Sequence, residues 1–148
     1  MKRISVILVL FALFSFKSNE LEEKYSLTIT VNDLRNSEGV VQFAIYNTEG
    51  SIPDEDYEKF YKIKTATITD NKASITFTDL PKGVYAVNVL HDENQNRKID
   101  KKTFPPLPKE GIGFSNYEKI GLSNRPKFSK AKFELKADMQ KEVKIIYL

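Results

Sequence analysis

Hydrophobic and polar residues alternate over short stretches of the chain, which is the pattern of half-buried β-strands. In "YSLTITV" (25–31), leucine, isoleucine and valine occupy every second position, with serine or threonine between them. "GVYAVNVL" (83–90) is the most apolar of these stretches. The pattern predicts seven strands, at 25–31, 40–46, 65–69, 73–79, 83–90, 130–136 and 142–148.

Turn-forming residues separate the predicted strands. The link "NDLRNSEG" (32–39) predicts a hairpin between the first two strands. The residues "DNK" (70–72) separate the third strand from the fourth, and Asp70 and Asn71 suit backbone positions with positive φ. "ADMQ" (137–140) predicts a turn between the last two strands. We therefore expect an all-β fold, an antiparallel seven-stranded β-sandwich.

Two segments lack the strand pattern. Residues 51–62 combine charged and aromatic side chains, which predicts a short helical turn with Tyr57, Phe60 and Tyr61 facing the sheet. Residues 101–130 are rich in proline and glycine and have little periodicity. Structureless loops of this length are uncommon in compact domains unless they are functional. One long Pro/Gly loop is therefore expected to interrupt the sandwich.

The N-terminal residues have the layout of a secretory signal peptide. Lys2 and Arg3 precede an apolar run over residues 4–16, after which the chain becomes polar. The run is shorter than the roughly 20 apolar residues of a membrane-spanning helix. No A-x-A cleavage pattern is present, so an uncleaved N-terminal anchor is the alternative. We expect residues 1–19 to be a signal peptide or anchor and residues 20–148 to be a single β-sandwich domain, exported to the periplasm or the extracellular space.

Composition excludes several classes of function. The chain has no cysteine, which rules out disulfides, thiolate catalysis and a lipid anchor on an N-terminal cysteine. It carries 23 Lys and Arg against 20 Asp and Glu. Because three of the basic residues lie in residues 1–19, the remaining chain is neutral. Its lysines are spread among acidic residues, so nucleic-acid binding is not expected.

Two motifs carry a resemblance to a known family. "LPKGVYAVNVLHDENQNRKID" (80–100) and "PKEGIGFSN" (108–116) resemble the core of a family of exported bacterial proteins, domain-of-unknown-function family 2141. The resemblance implies an exported all-β domain whose biochemical function is not established. "LPKGVY" (80–85) is also similar to the start of a central strand in transthyretin-like and carboxypeptidase-regulatory-like domains. That similarity supports the sandwich and names no activity.

The segment "HDENQNRKID" (91–100) has oxygen-bearing groups at the spacing of a calcium loop. Calcium takes about 6 to 8 oxygen ligands, which an EF-hand loop supplies from positions 1, 3, 5, 7 and 9 and from a glutamate at 12. With Asp92 at position 1, carboxamides occupy positions 3 and 5, a backbone carbonyl position 7 and a carboxylate position 9. The predicted metal ligands are Asp92, Asn94, Asn96, Lys98 (through its carbonyl) and Asp100.

Other features of this segment argue for weak calcium binding or none. Position 6, usually glycine, is Arg97, and position 12 is Thr103. The family resemblance implies glycines near Gln95 and Arg97, and cationic residues surround the loop. Asp and Asn side chains also form Asx-turns with the backbone two residues on, without any metal. A weak calcium loop and a metal-free polar turn are therefore both open interpretations.

The remaining polar residues show no catalytic constellation and no cofactor-binding motif. His91 is the single histidine, and the sequence identifies neither an oriented partner nor an oxyanion site for it. We expect it to end its strand, with its side chain bonded to the following loop. One histidine without cysteine cannot supply the ligands of a zinc site. Asp54, Glu55 and Asp56 are interpreted as a solvated surface segment rather than a glycosidase pair.

The stretch "KEGIGFSN" (109–116) is not a phosphate loop, because neither a helix signal nor a Lys-Ser/Thr pair follows its glycines. We expect Gly111 and Gly113 to allow tight turns while Ile112 and Phe114 pack inward. The alternative is a shallow ligand groove lined by three aromatic side chains, Phe104, Phe114 and Tyr117.

These features favour an exported, noncatalytic module with an immunoglobulin-like or transthyretin-like sandwich and a loop that calcium could weakly stabilise. Its expected role is binding or structural, with an unknown protein, a glycan or an envelope component as partner. Membrane contact is expected only through an uncleaved N-terminal segment. The alternative is an exported metal-assisted hydrolase that uses the loop after the His91 strand. The two differ in whether His91 converges with the carboxylates of Asp92 and Asp100 on one concave site.

Overall fold

The computed structural model describes residues 22–148, and the predicted signal peptide or anchor at 1–19 lies outside the described residues. The described chain is almost entirely β-structure, as predicted, with eight strands and one helix of four residues. No helix in this part of the chain is long and apolar enough to cross a membrane. In chain order the elements are β1 (Lys24–Val31), β2 (Val40–Tyr46), β3 (Lys62–Ala66), β4 (Ala73–Pro81), β5 (Gly83–Asp92), β6 (Gly111–Phe114), α1 (Phe128–Ala131), β7 (Phe133–Leu135) and β8 (Met139–Glu142).

The strands form two sheets. The first sheet has the order β4-β1-β8, with β4 antiparallel and β8 parallel to β1. The second sheet has the antiparallel order β3-β2-β5-β6, and β7 pairs with the first residues of β5. The described chain therefore contains eight strands rather than the predicted seven, because the predicted Pro/Gly loop contains β6.

The two sheets pack against each other through a shared hydrophobic core. Leu27, Ile29 and Val31 of β1 are all fully buried, as their alternation predicts. They belong to one cluster with Phe43 and Val89 of the second sheet. The serine and threonines between them in β1 are only partly buried. One face of β1 is thus committed to the core between the sheets.

β5 is buried on both of its faces, which explains its nearly continuous apolar sequence. Val87 and Val89 point into the core between the sheets, whereas Ala86 and Leu90 point to the outer face. A second cluster covers that outer face, so the chain outside the two sheets has a packing role. The covering side chains from outside the sheets are Ile52, Tyr57, Tyr117 and Phe128, and they pack with Ile112 and Phe114 of β6.

The predicted hairpin between the first two strands is wrong. β1 pairs with β4 and β8, while β2 pairs with β3 and β5. The 32–39 link instead carries the chain from one sheet to the other, with positive φ at Asp33 and Gly39. The chain also changes sheets between β3 and β4, and there the predicted turn residues are correct. Asp70 and Asn71 have φ of 51° and 57°.

The strand prediction is least accurate near the C-terminus. The 142–148 run is not a strand, and β8 begins inside the predicted 137–140 turn. The residues after β8 instead pass against β6, where the backbones of Ile112 and Ile146 exchange hydrogen bonds of 3.0 and 2.8 Å. The predicted strand at 130–136 is divided between the end of α1 and β7.

The 51–62 segment forms turns and bends, and no helix, contrary to the prediction. Tyr57 faces the sheet and is 7% exposed, but Phe60 and Tyr61 are 38% and 39% exposed. Of the three aromatic side chains only Tyr57 is therefore buried, although the ring of Tyr61 lies 6.1 Å from that of Tyr85 in β5. β3 follows directly and lies slightly before the predicted 65–69 strand.

Asp54 holds the 51–62 segment in this conformation. It is buried rather than solvated, contrary to the prediction. Its Oδ1 accepts the N–H of Glu58 (3.0 Å), and its Oδ2 accepts the N–H of Lys59 (2.8 Å) and the hydroxyl of Tyr46 (3.1 Å). Three donors satisfy the buried carboxylate, which offsets the cost of removing it from water. The two acidic residues that follow it are exposed, as predicted.

Candidate functional site

The 92–100 loop starts from Asp92, the last residue of β5, which is fully buried. Its Oδ1 accepts a hydrogen bond from the backbone N–H of Asn96 (3.1 Å), and its Oδ2 accepts one from that of Arg97 (2.8 Å). A buried carboxylate requires such donors, because burial without partners is costly. Asp92 therefore shapes the loop from its inner side.

Two carboxamides of the loop donate to the same carboxylate oxygen. Nδ2 of Asn94 and Nδ2 of Asn96 both donate to Oδ2 of Asp100, at 2.6 and 2.8 Å. Oδ1 of Asn94 accepts the N–H of Asn96 (3.0 Å), and Oδ1 of Asn96 accepts the N–H of Lys98 (2.9 Å). Bonds to the backbone two residues on are Asx-turns. The loop thus has the geometry of a polar turn, and it gathers three of the predicted ligand side chains.

Gln95 and Arg97 have left-handed backbone conformations, with φ of 58° and 65°. These are the positions where the family resemblance implies glycine. Residues with a Cβ rarely adopt such φ values, because the side chain then crowds the following carbonyl. Both side chains are exposed, so packing does not dictate their identity. The loop therefore holds two strained positions.

Glu110, which lies in the Pro/Gly segment directly before β6, also reaches this loop. It is 4% exposed, and its Oε1 accepts the backbone N–H of Glu93 at 2.9 Å. Its Oε2 is buried and accepts no hydrogen bond within residues 22–148. Burial raises the pKa of this carboxyl, the backbone N–H groups of Glu93 and Asn94 oppose the rise, and the charges of Asp92 and Asp100 add to it. Glu110 is a buried acid with one unused oxygen beside the loop.

The sequence did not identify Glu110 as a member of this site, because no local spacing connects it to Asp92. The intervening chain folds back on itself: the carbonyl of Asp100 accepts the N–H of Lys109 at 2.8 Å, and Lys101 forms a bridge with Pro108. This closure returns the chain to the loop. The one sequence signal was an acidic residue directly before the apolar stretch "GIGF".

Within residues 22–148, no three His, Cys, Asp or Glu side chains lie close enough together to hold a metal ion. A cation on this loop would therefore need amide and carbonyl oxygens as well as carboxylates. Calcium is bound in proteins by such mixed oxygen sets. The side chains that could contribute oxygens are Asp92, Asn94, Asn96, Asp100 and Glu110.

His91 faces away from this loop. It is fully buried on the side of the sheet where Val89 meets the first sheet, and Asp92 points to the outer face. Its Nε2 lies 2.9 Å from the carbonyl oxygen of Glu38, and its Nδ1 lies 2.7 Å from the hydroxyl of Tyr147. Because a carbonyl can only accept, Nε2 carries the proton, and in the neutral ring Nδ1 accepts from Tyr147. The prediction that His91 bonds to the following loop is wrong.

An ion pair fixes the start of the loop on the surface. The guanidinium of Arg35 pairs with the carboxylate of Glu93, which also accepts a hydrogen bond from Nδ2 of Asn36 at 2.7 Å. The hydrogen bond from Arg35, aided by Asn36, holds the pKa of Glu93 below its usual range although burial opposes it. The charge of Glu93 is thus neutralised by Arg35 and its carboxylate is held by Asn36, so Glu93 is not a candidate ligand.

An apolar pocket lies beside the loop, on the outer face of β6. Its volume is about 330 Å³. Its walls come from residues 53–55, 99, 101, 106–108, 120–122, 125–126 and 148, together with Ile112 and Phe114 of β6. Prolines and aliphatic side chains make up most of the lining. The largest apolar side chains in it are Ile99, Leu107, Ile112, Phe114, Ile120, Leu122 and Leu148.

One of the three aromatic residues of the predicted groove lines the apolar pocket. Phe114 is part of the wall, whereas Phe104 lies outside the lining and is 90% exposed. Tyr117 is buried, and its hydroxyl accepts the N–H of Lys127 (2.9 Å) and donates to the carbonyl of Arg125 (3.3 Å). The predicted groove is therefore wrong in two of its three members.

Four charged residues border the apolar pocket. Asp54 is satisfied by its three donors, and Glu55 forms an ion pair with Lys101. Arg125 is exposed and makes no ion pair with any residue of the described chain. Arg125 is therefore the exposed charged side chain of the lining that has no ion-pair partner in the described chain, whereas the charge of Asp54 is buried among neutral donors.

Gly111 and Gly113 lie in β6 and not in the predicted tight turns. A Cβ at Gly113 would overlap the carbonyl oxygen of Lys144, and a Cβ at Gly111 would overlap the ring of Tyr147. The residue after each glycine is buried, as predicted. The two glycines therefore let the C-terminal segment lie directly against β6.

A family model described as "Uncharacterized protein conserved in bacteria (DUF2141)" matches residues 29–144 of this chain. The matched range includes the 92–100 loop, Glu110 and most of the lining of the apolar pocket. No curated protein and no solved structure matches the chain.

Proposed function

The chain belongs to DUF2141, a family of uncharacterized bacterial proteins, and we propose that it is an exported, noncatalytic binding module for an amphiphilic envelope component. The ligand would sit in the apolar pocket. The scaffold would be a β-sandwich of the immunoglobulin-like or transthyretin-like type. Export rests on the signal-peptide pattern of residues 1–19, which lie outside the described chain.

The apolar pocket is the observation that carries this proposal. Small-molecule sites are concave, mostly apolar and about 300–1,000 Å³ in volume, and this pocket has about 330 Å³ and a largely aliphatic wall. Two other clefts, of about 450 and 490 Å³, are lined mainly by polar and charged side chains. Leu122 on the rim is 60% exposed, which extends the apolar surface outward for a chain-like ligand.

The charge at the pocket indicates the chemistry of the ligand. Arg125 is the exposed lining residue without an ion-pair partner in the described chain, since Asp54 is buried and held by neutral donors. A guanidinium pairs well with carboxylate or phosphate. An apolar chain that ends in one anionic group satisfies both features. We therefore assign the ligand class as an acyl chain with a carboxylate or phosphate at its end.

The noncatalytic part of the proposal rests on the orientation of His91. It points into the core between the sheets, while Asp92 points to the outer face, so the two do not form one concave site. Nothing in residues 22–148 favours the alternative of a metal-assisted hydrolase. The two carboxylates that line the apolar pocket, Asp54 and Glu55, are already bound to protein donors.

Calorimetric titration with octanoate tests the proposal. Ile120→Trp places an indole in the wall of the apolar pocket and is expected to weaken binding strongly, because the ring takes up part of the space and of the apolar wall that the acyl chain would use. Val84→Trp is the matched control, since Val84 is an exposed apolar residue outside the lining. Equal binding by wild type and Ile120→Trp would contradict the proposal, as would no binding by wild type.

Arg125→Gln tests the assigned charge. This variant should bind octanoate about three- to tenfold more weakly, which is the range for one exposed charge-assisted contact. Its affinity for octanol should be that of wild type, because octanol has no anionic group. An equal loss for both ligands would show that Arg125 acts through packing and would overturn the charge assignment.

A further inference from the structure

We propose that Glu110 completes a hard-cation site on the 92–100 loop, with calcium as the natural ion. The other side-chain oxygens come from Asp92, Asn94, Asn96 and Asp100. The three carboxylates of this set are not gathered around one point in the described chain, so the site would close on the ion as it binds. This inference concerns a different part of the molecule from the apolar pocket and does not depend on the pocket binding any ligand.

The buried, unused oxygen of Glu110 is the observation that points to a ligand. The side chain is 4% exposed, and its Oε1 is held by the N–H of Glu93 at 2.9 Å. That bond fixes the carboxylate against the first residues of the loop. Its Oε2 is buried there and accepts no hydrogen bond of normal geometry in the described chain, although the backbone N–H of Asn94 lies near the carboxylate. Burying an ionised oxygen without a partner is costly, and a cation bound at that oxygen removes the cost.

Glu110 also supplies what the loop itself lacks. An EF-hand loop receives a bidentate carboxylate from its twelfth position, and here that position is Thr103. The chain closes on itself between Asp100 and Lys109, through a backbone hydrogen bond of 2.8 Å. The closure brings Glu110 to the loop from outside the motif. The missing carboxylate is thus replaced by one that is distant in sequence and adjacent in space.

The donor set favours a hard cation over zinc or copper. Carboxylate, carboxamide and carbonyl oxygens suit calcium, whereas softer metals prefer nitrogen and sulfur. The chain has no cysteine, and its single histidine is bonded to Glu38 and Tyr147 on the other face of the sheet. No soft ligand of the described chain therefore reaches the loop.

Binding should be weak, because the loop already satisfies itself. Both carboxamides donate to Oδ2 of Asp100, at 2.6 and 2.8 Å, and these N–H groups must turn away before oxygens can face a cation. The exposed side chains of Arg97 and Lys98 add positive charge nearby. We therefore place the dissociation constant for calcium at about 1 mM, within the range of extracellular calcium modules.

Thermal unfolding of the purified protein with added calcium tests the site. Between no calcium and about 10 mM calcium, we expect the Tm of wild type to rise by about 3–6 °C. Glu110→Gln should lose most of this rise. Glu118→Gln makes the same chemical change at an exposed residue away from the loop, where the side chain is 82% exposed, and should keep the full rise.

Calorimetric titration with calcium gives a readout that does not depend on unfolding. Wild type and Glu118→Gln should show the same saturable heat, and Glu110→Gln and Asp100→Asn should show at least a tenfold weaker one. If Glu110→Gln binds calcium as wild type does, Glu110 is not a ligand and the inference fails. If wild type binds no calcium up to about 10 mM, the site itself is refuted. Neither result changes the expected binding of octanoate to the apolar pocket, so the two proposals fail separately.

Discussion

Gln95 and Arg97 adopt left-handed backbone conformations that would suit glycine, with φ of 58° and 65°. Each substitution, Gln95→Gly and Arg97→Gly, should raise the free energy of unfolding by roughly 0.5–1 kcal/mol. Removing the Cβ relieves about 1–2 kcal/mol of strain, and the added flexibility of the unfolded chain offsets part of this. Chemical denaturation of both variants measures the change.

Lys98→Gly is the control for these two substitutions, because Lys98 is an exposed loop neighbour whose φ is not positive. It should leave stability unchanged or lower it. A loss of stability in all three variants would show that the left-handed conformations are not strained. A gain in all three would show that loop flexibility, rather than relief of φ strain, controls stability here.

Glu110 should make metal-free stability fall as the pH rises. Burial raises its pKa in the folded protein above the ordinary value of 4.5, so the folded state binds the proton more tightly than the unfolded state. The stability from this proton is fully present below about pH 4.5 and is lost as the pH rises through the raised value. Glu110→Gln removes this dependence, and in chelator its Tm should equal or exceed that of wild type at pH 7.

The same variant therefore has opposite effects with and without calcium. In chelator Glu110→Gln is expected to stabilise the protein, and in calcium it is expected to forfeit the added stability. Thermal melts at pH 4.5 and pH 7, with and without the ion, measure both effects. A variant that is less stable than wild type in chelator at pH 7 would mean that the ionised carboxylate has an additional protein partner.

At the scale of single residues, the sequence predicted backbone conformations and local motifs better than it predicted contacts between residues that are distant in sequence. It indicated positive φ at Asp70 and Asn71 because their side chains tolerate that conformation, and the structure confirms both. It identified the polar loop because D-x-N-x-N is a local spacing. It could not identify Glu110, because the chain closure that places Glu110 beside the loop leaves no local spacing in the sequence.

β6 depends on glycine because the C-terminal segment lies directly against it. Gly113→Ala should lower the free energy of unfolding by about 1–3 kcal/mol, since the new Cβ would overlap the backbone carbonyl oxygen of Lys144. Backbone atoms cannot move aside as a side chain can. Urea denaturation measures the loss.

Gly121→Ala is the matched control for this element, because no atom lies within 4 Å of a Cβ built there. It should leave the free energy of unfolding nearly unchanged. If Gly113→Ala were as stable as Gly121→Ala, the close packing of the C-terminal segment on β6 would be contradicted.

Strand prediction was accurate where alternation is long and failed where partners are distant. β1, β2, β4 and β5 lie close to their predicted positions, because one or both of their faces are buried over many residues. β6 has only four residues, two of them glycine, and gives no periodic signal. Alternation identifies which face of a strand is buried, but it does not identify which strand pairs with it. The predicted β1–β2 hairpin was wrong for this reason.

At the scale of the whole molecule, the residues outside the two sheets both cover the fold and form its candidate sites. The 51–57 segment and the chain after β5 cover the outer face of the second sheet with a hydrophobic cluster of their own. The apolar pocket lies within this covering layer, and the 92–100 loop borders it through Ile99. The long irregular segment after β5 therefore has two roles: it packs over the second sheet, and it forms the proposed binding surface.

An amide NMR titration with octanoate tests the central claim, that the apolar pocket is the binding site, most directly. The account predicts saturable shifts concentrated at Ile112, Phe114, Ile120 and Leu122, which line the pocket, and none at Ile29 or Phe77 in the core between the sheets. Shifts that do not saturate, or that spread over the first sheet and spare the pocket lining, would contradict it.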